Sequence, residues 1–148
     1  MGILPPSTND QYAGAKVSAW FLTLAAALTI IPGAIHYFLP DGGAGVIGGV
    51  DLSTRADVII AIFAWYGAMQ MPFGALLLII SLRYRTLVPL CLLLAVVQQG
   101  LGAFAGWVFK ATASGHHPPE HYGSLIGTAL GIVFFALSLG GRKRYGSA

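Results

Sequence analysis

A chain of 148 residues that is 56% hydrophobic and only 9% charged, with a mean hydropathy of +0.75, lies outside the range of water-soluble domains. Four long apolar stretches in so short a chain leave too little polar sequence to cover them, which excludes a soluble globule. Eight Lys and Arg against five Asp and Glu give a net charge of +3. The basic residues sit at the ends of apolar runs and read as topology signals, not as a nucleic-acid surface.

Residues 1–15 contain Pro5, Pro6, Ser7, Thr8, Asn9 and Asp10, which predicts a polar leader that is loosely ordered or lies along the membrane interface. The first span is predicted over 17–39, with Trp20 at its start and Tyr37 and Phe38 at its end, where amphipathic rings favour the headgroup level. A cleaved signal peptide is the alternative. The run is longer than a typical signal core, and no small-residue cleavage site follows His36-Tyr37-Phe38. Pro32 removes a backbone bond and should kink or tilt the last turns, leaving His36 near a helix end.

Residues 40–50 form a glycine-rich loop in which Gly43-Ala44-Gly45-Val46-Ile47-Gly48 spells the dinucleotide pattern G-x-G-x-x-G. That fingerprint requires a strand before it and a helix opening within it, so here it reads as a flexible interfacial loop. Thr54, with Asp57 three residues on, predicts an N-cap for the second span over 56–82. This span carries Trp65, Tyr66, Gly67, Gln70, Pro72 and Gly74, and Pro72 should turn Gln70 toward the bundle interior.

A short basic link with Arg83 and Arg85 leads into the third span, 87–109. Together the second and third spans read as the hairpin around which the rest is arranged. The third span places Gln98 and Gln99 near mid-membrane, then a small-residue patch of Gly100, Gly102, Ala103 and Gly106. Cys91, alone in the chain and inside this span, allows no internal disulfide and reads as a small hydrophobe.

The second long loop ends in His116-His117-Pro118-Pro119-Glu120-His121, with the prolines suited to a first helical turn. The fourth span, 122–139, aligns Gly123, Gly127 and Gly131 on one stripe beside Ser124 and Thr128. Such a stripe lets helices approach closely in lipid, within one chain or between two. Counting Lys and Arg puts Lys16, Arg83, Arg85, Arg142, Lys143 and Arg144 on one side and only Arg55 and Lys110 on the other. The positive-inside rule then makes both termini cytoplasmic and gathers all four histidines outside. The expected fold is an all-α, four-helix transmembrane bundle forming one domain.

Four short-looped spans with a proline in the first, a long first outer loop, a basic central turn and a basic tail resemble the DoxX-like group of small bacterial membrane proteins. Arg55-Ala56-Asp57, Trp65-Tyr66-Gly67, Leu82-Arg83-Tyr84-Arg85 and Gln99-Gly100-Leu101-Gly102 follow the order of features in that group. The resemblance implies a bundle in the bacterial inner membrane, with some relatives serving as subunits of quinone-linked oxidoreductase complexes. It assigns no residue a role.

Two sets of residues carry candidate chemistry. His36, His117, Glu120 and His121 are suitable ligands for a metal, and His36 with His121 has the topology for bis-histidine haem. Alternatively His36 bonds a loop carbonyl, His117 caps the fourth helix and Glu120 meets its dipole. Gln70, Gln98 and Gln99 suit the floor of a cavity for a quinone or another lipophilic molecule, with Trp65, Tyr66 and Phe104 as walls. Hydrogen bonding between spans is their structural alternative. No ionisable group lies at mid-membrane, which disfavours a proton-coupled transporter. The leading expectation is a non-catalytic subunit, assembly factor or scaffold of a larger membrane complex. The rival is a membrane enzyme using His36, Asp57, Glu120 or His121 as acid, base or ligand.

Overall fold

The computed structural model describes residues 3–111 and 115–140. The basic tail Arg142, Lys143 and Arg144, counted above for orientation, lies outside the described residues. Among those described there is no strand. The chain forms α1 (Lys16–Phe38), α2 (Ala56–Arg83), α3 (Val88–Phe104) and α4 (Pro119–Ser138). Short 3₁₀ turns occupy Asn9–Gln11 and Arg85–Leu87, and a π-helical turn, Ala105–Phe109, extends α3. With that turn included, all four helices are long and apolar enough to cross a bilayer. Between 17% and 28% of each span's most apolar stretch is buried in the protein, so most of each apolar surface faces outward. An integral membrane protein requires that arrangement.

The pairing differs from the expected central hairpin. α1 packs along α2 and α3 along α4, whereas α2 and α3, joined by the shortest link, scarcely touch. The reason lies at the α1–α2 crossing. A Cβ on Gly67 would sit 2.5 Å from the Gly33 carbonyl oxygen and 2.9 Å from His36 Cβ, and one on Gly74 would sit 2.6 Å from Ile30 Cγ1. Helix backbones approach this closely only where side chains are missing, and dispersion then acts across the whole seam.

The two helix pairs are pinned together at both ends. At the end near the chain termini, Ala19, Leu22, Ala26, Leu77, Ile80, Val88, Cys91 and Leu92 form the buried core. There Phe21 stacks on Phe134 with ring centroids 4.2 Å apart, and Ser18 Oγ donates to the Phe134 carbonyl at 2.8 Å. At the opposite end, His116 Nε2 meets the Gly48 carbonyl at 2.9 Å and joins the two long loops.

The leader is more ordered than its composition predicts. It closes the C-terminus of α2, whose last carbonyls have no partner within the helix. Asn9 Nδ2 donates to the Leu82 carbonyl at 2.6 Å, while Ser7 Oγ and the Thr8 amide donate to the Arg83 carbonyl at 2.9 and 3.0 Å. Tyr84 returns a bond from its hydroxyl to the Pro5 carbonyl at 2.8 Å.

The N-cap of α2 is Arg55, not Thr54, and no side chain caps this helix. Arg55 adopts φ 55°, ψ 34°, in the left-handed region, which turns the chain abruptly into the helix and carries Thr54 away from the first turn. His117 likewise does not cap α4. Pro118 holds that position, and the His117 ring is engaged elsewhere.

Candidate functional site

The glycine loop that follows α1 is ordered around one carboxylate. Asp41 accepts backbone bonds from Gly43 at 2.9 Å, Gly45 at 3.1 Å and Val46 at 2.9 Å. Those bonds, the Val46 amide foremost and then Gly43, hold the Asp41 carboxyl below the usual carboxylate range. Gly42 and Gly43 have positive φ of 63° and 73°, which brings the Gly42 carbonyl over the end of α1. His36, buried in that last turn, donates from Nδ1 to this carbonyl at 2.7 Å. The loop is therefore a built cap rather than a flexible linker. Its amides are taken by Asp41 and by the Gly43 carbonyl, so the G-x-G-x-x-G spelling offers no free anion cradle.

Fixing the Nδ1 hydrogen of His36 leaves Nε2 as the ring's lone-pair nitrogen. The ring lies edge-on to Phe63, centroids 5.0 Å apart, and 6.2 Å from Tyr66. Tyr66 in turn lines a cleft of about 310 Å³ with Met69, Gln70, Phe73 and Gln98. This cleft lies midway along the spans, between α2 and α3, which scarcely touch. The Gln70 side-chain oxygen is buried there without a hydrogen-bond partner among the described residues. An orphaned amide oxygen costs about 1–3 kcal/mol.

The cleft separates residues that are neighbours in sequence. Successive residues on a helix point about 100° apart. Gln98 therefore reaches the α2 side, while Gln99 lies over Gly127 of α4, its Nε2 2.9 Å from where a Gly127 Cβ would be. Tyr66 likewise faces the cleft, while Trp65 lines a shallow groove of about 390 Å³ along α2 with Asp57, Val58, Ala61 and Ile62. Phe104 is exposed and stacks near Phe109 of the π-turn, away from the cleft lining.

The second cluster lies where α4 begins. His117 and His121 face each other through Nδ1 atoms 3.0 Å apart. Trp107 stacks on the His117 ring at 3.9 Å and 15°, and its Nε1 donates to the His121 carbonyl at 3.0 Å. The His121 ring rests on Gly106, where a Cβ would come within 2.7 Å of it. Glu120 is exposed in the first turn of α4, where its charge suits the helix dipole. His36 keeps its own partners in the α1–α2 pair, and no ring contact or hydrogen bond joins it to His121 among the described residues. No three of the described His, Cys, Asp and Glu residues come together to hold a metal ion.

The leader's bonds, the Asp41 loop and the π-turn were not read from sequence. Asp41 followed by glycines was a local signal for the second. The others depend on contacts between distant segments. Compared with protein-family models, curated proteins and solved structures, the chain matches none.

Proposed function

We propose that this protein is a small DoxX-like subunit or scaffold of a bacterial inner-membrane complex, with cytoplasmic termini, that holds a lipophilic molecule between α2 and α3. The observation that carries the reading is the unpartnered Gln70 side-chain oxygen beside a cleft that also presents Gln98. A second amide, two aromatic rings and a thioether line the same space, a mixture suited to an apolar body with one or two polar groups. A quinol-like head fits this chemistry. Its hydroxyl would donate to the Gln70 carbonyl after rotation of the amide about its last bond, while Gln98 offers both a donor and an acceptor.

The scaffold part of the reading draws on the wide apolar surface left outside the helix pairs. Gly127 and Gly131 are covered by the Gln99 and Val96 side chains of α3, whereas the Cβ position of Gly123 has nothing within 4 Å. Self-association through the glycine stripe would thus centre on Gly123.

Mass spectrometry of protein extracted gently from its own membrane should find a co-purifying quinone-like or other lipophilic molecule. A short-chain ubiquinol at about a hundredfold excess over its Kd should add about 2.7 kcal/mol to the parent protein's stability. Gln98→Leu should lose most of that gain. A bare chain, with equal ligand-induced stabilisation of both proteins, would rule out the cleft.

A further inference from the structure

We propose that His117 and His121 form an exchangeable copper(II) site at the start of α4. This site is separate from the cleft and does not depend on it. Two observations point to it: the way the two rings converge, and the way α3 is deformed to hold them.

In the metal-free pair one Nδ1 carries a hydrogen and points it at the other, 3.0 Å away. A metal ion can take that proton's place. The donor ring moves that hydrogen from Nδ1 to its own Nε2 by exchange with solvent, the other ring already carries its hydrogen on Nε2, and both Nδ1 lone pairs turn to the metal with no net proton released. With metal–nitrogen bonds of about 2.0 Å, nitrogens 3.0 Å apart subtend about 97° at the metal. A tetrahedral ion needs them about 3.3 Å apart with bonds of that length. The observed spacing thus favours adjacent corners of a square-planar or tetragonal site, the preference of copper(II) and nickel(II), and copper(II) binds more tightly of the two.

The surroundings hold the rings in this orientation. Trp107 covers the face of His117, and Gly106 lets the His121 ring settle against α3. Both belong to the π-turn Ala105–Phe109. A π-turn inserts one extra residue into a helical turn and rotates the side chains beyond it, and such turns concentrate at functional sites. Here it brings Trp107 onto His117 while keeping Gly106 under His121. No third His, Cys, Asp or Glu among the described residues completes a closed cage. The remaining positions belong to water or an incoming ligand, as an ion that is taken up and passed on requires.

The test uses the full chain in detergent, purified through a tag free of histidine, with Trp20→Phe and Trp65→Phe so that Trp107 alone fluoresces. Copper(II) should quench Trp107 with one-to-one stoichiometry, and zinc(II) should compete poorly. Loss of an outer-sphere partner alone weakens metal sites about 10–100-fold, so His117→Gln and His121→Gln should each weaken binding at least tenfold. Electron paramagnetic resonance of the copper-loaded parent should show equatorial nitrogen coupling, a readout that needs no variant to fold. No quenching in the parent, unchanged affinity in both variants, or a spectrum without nitrogen coupling would each overturn the site.

Discussion

The two helix pairs use glycine differently. In α1–α2, Gly33, Gly67 and Gly74 meet the backbone and first side-chain atoms of the opposite helix. In α3–α4, Gly106, Gly127 and Gly131 accommodate the side chains of His121, Gln99 and Val96, and Gly123 meets nothing. Backbone contact leaves no freedom to adjust, whereas a side chain can change rotamer. The α1–α2 pair therefore acts as the rigid half, and the α3–α4 pair is the half in which polar groups have room to be placed.

The largest break in this comparison should come from Gly67→Val. Its Cβ alone would lie 2.5 Å from the Gly33 carbonyl oxygen and 2.9 Å from the Tyr37 amide nitrogen, neither of which can move without shifting α1. A loss of about 3 kcal/mol or more is expected, read as earlier unfolding in a denaturant titration followed by circular dichroism in micelles. A loss below half of that would mean the crossing yields more easily than its geometry implies.

A smaller effect should follow Gly131→Ala. The new methyl would meet Val96 Cγ2 at 2.7 Å, with the Val96 backbone no nearer than 3.9 Å. Because a helical valine is held near one rotamer, relief comes from a small shift between α3 and α4, and about 1 kcal/mol is expected. The same titration ranks it against Gly67→Val, and equal losses would erase the distinction between the pairs.

Least disruptive should be Gly123→Leu, which enters open space and should leave monomer stability within about 0.5 kcal/mol. Any effect should appear in self-association, measured by energy transfer between labelled chains in liposomes. Unchanged association there would remove Gly123 as a contact between copies.

Much of the architecture was legible in local sequence. Four apolar runs, bounded by Lys16, Arg55, the Arg83–Arg85 link and the His116-to-Pro119 segment, correspond to the four helices within a few residues. The boundaries that slipped were those set by backbone conformation. Arg55 displaced Thr54 as the cap of α2, and Pro118 displaced His117 as the cap of α4, although the prolines do open that helix as their residue type predicts.

The candidate sites were only half legible. Residue types that carry chemistry stood out as glutamines inside spans and as a histidine cluster beside prolines. Their partners did not, because a Gln98-Gln99 pair or a Trp65-Tyr66 pair reads as one unit in sequence and as two directions on a helix.

By itself the sequence determined that four helices are long and apolar enough to cross a bilayer, because hydropathy and span length are sums over neighbouring residues. Only the tertiary structure decided which helices pair, that the leader caps α2, and that His117 finds His121 while His36 finds Gly42. Those outcomes depend on helix rotation and on close approach between segments far apart in the chain. A run of apolar letters carries neither.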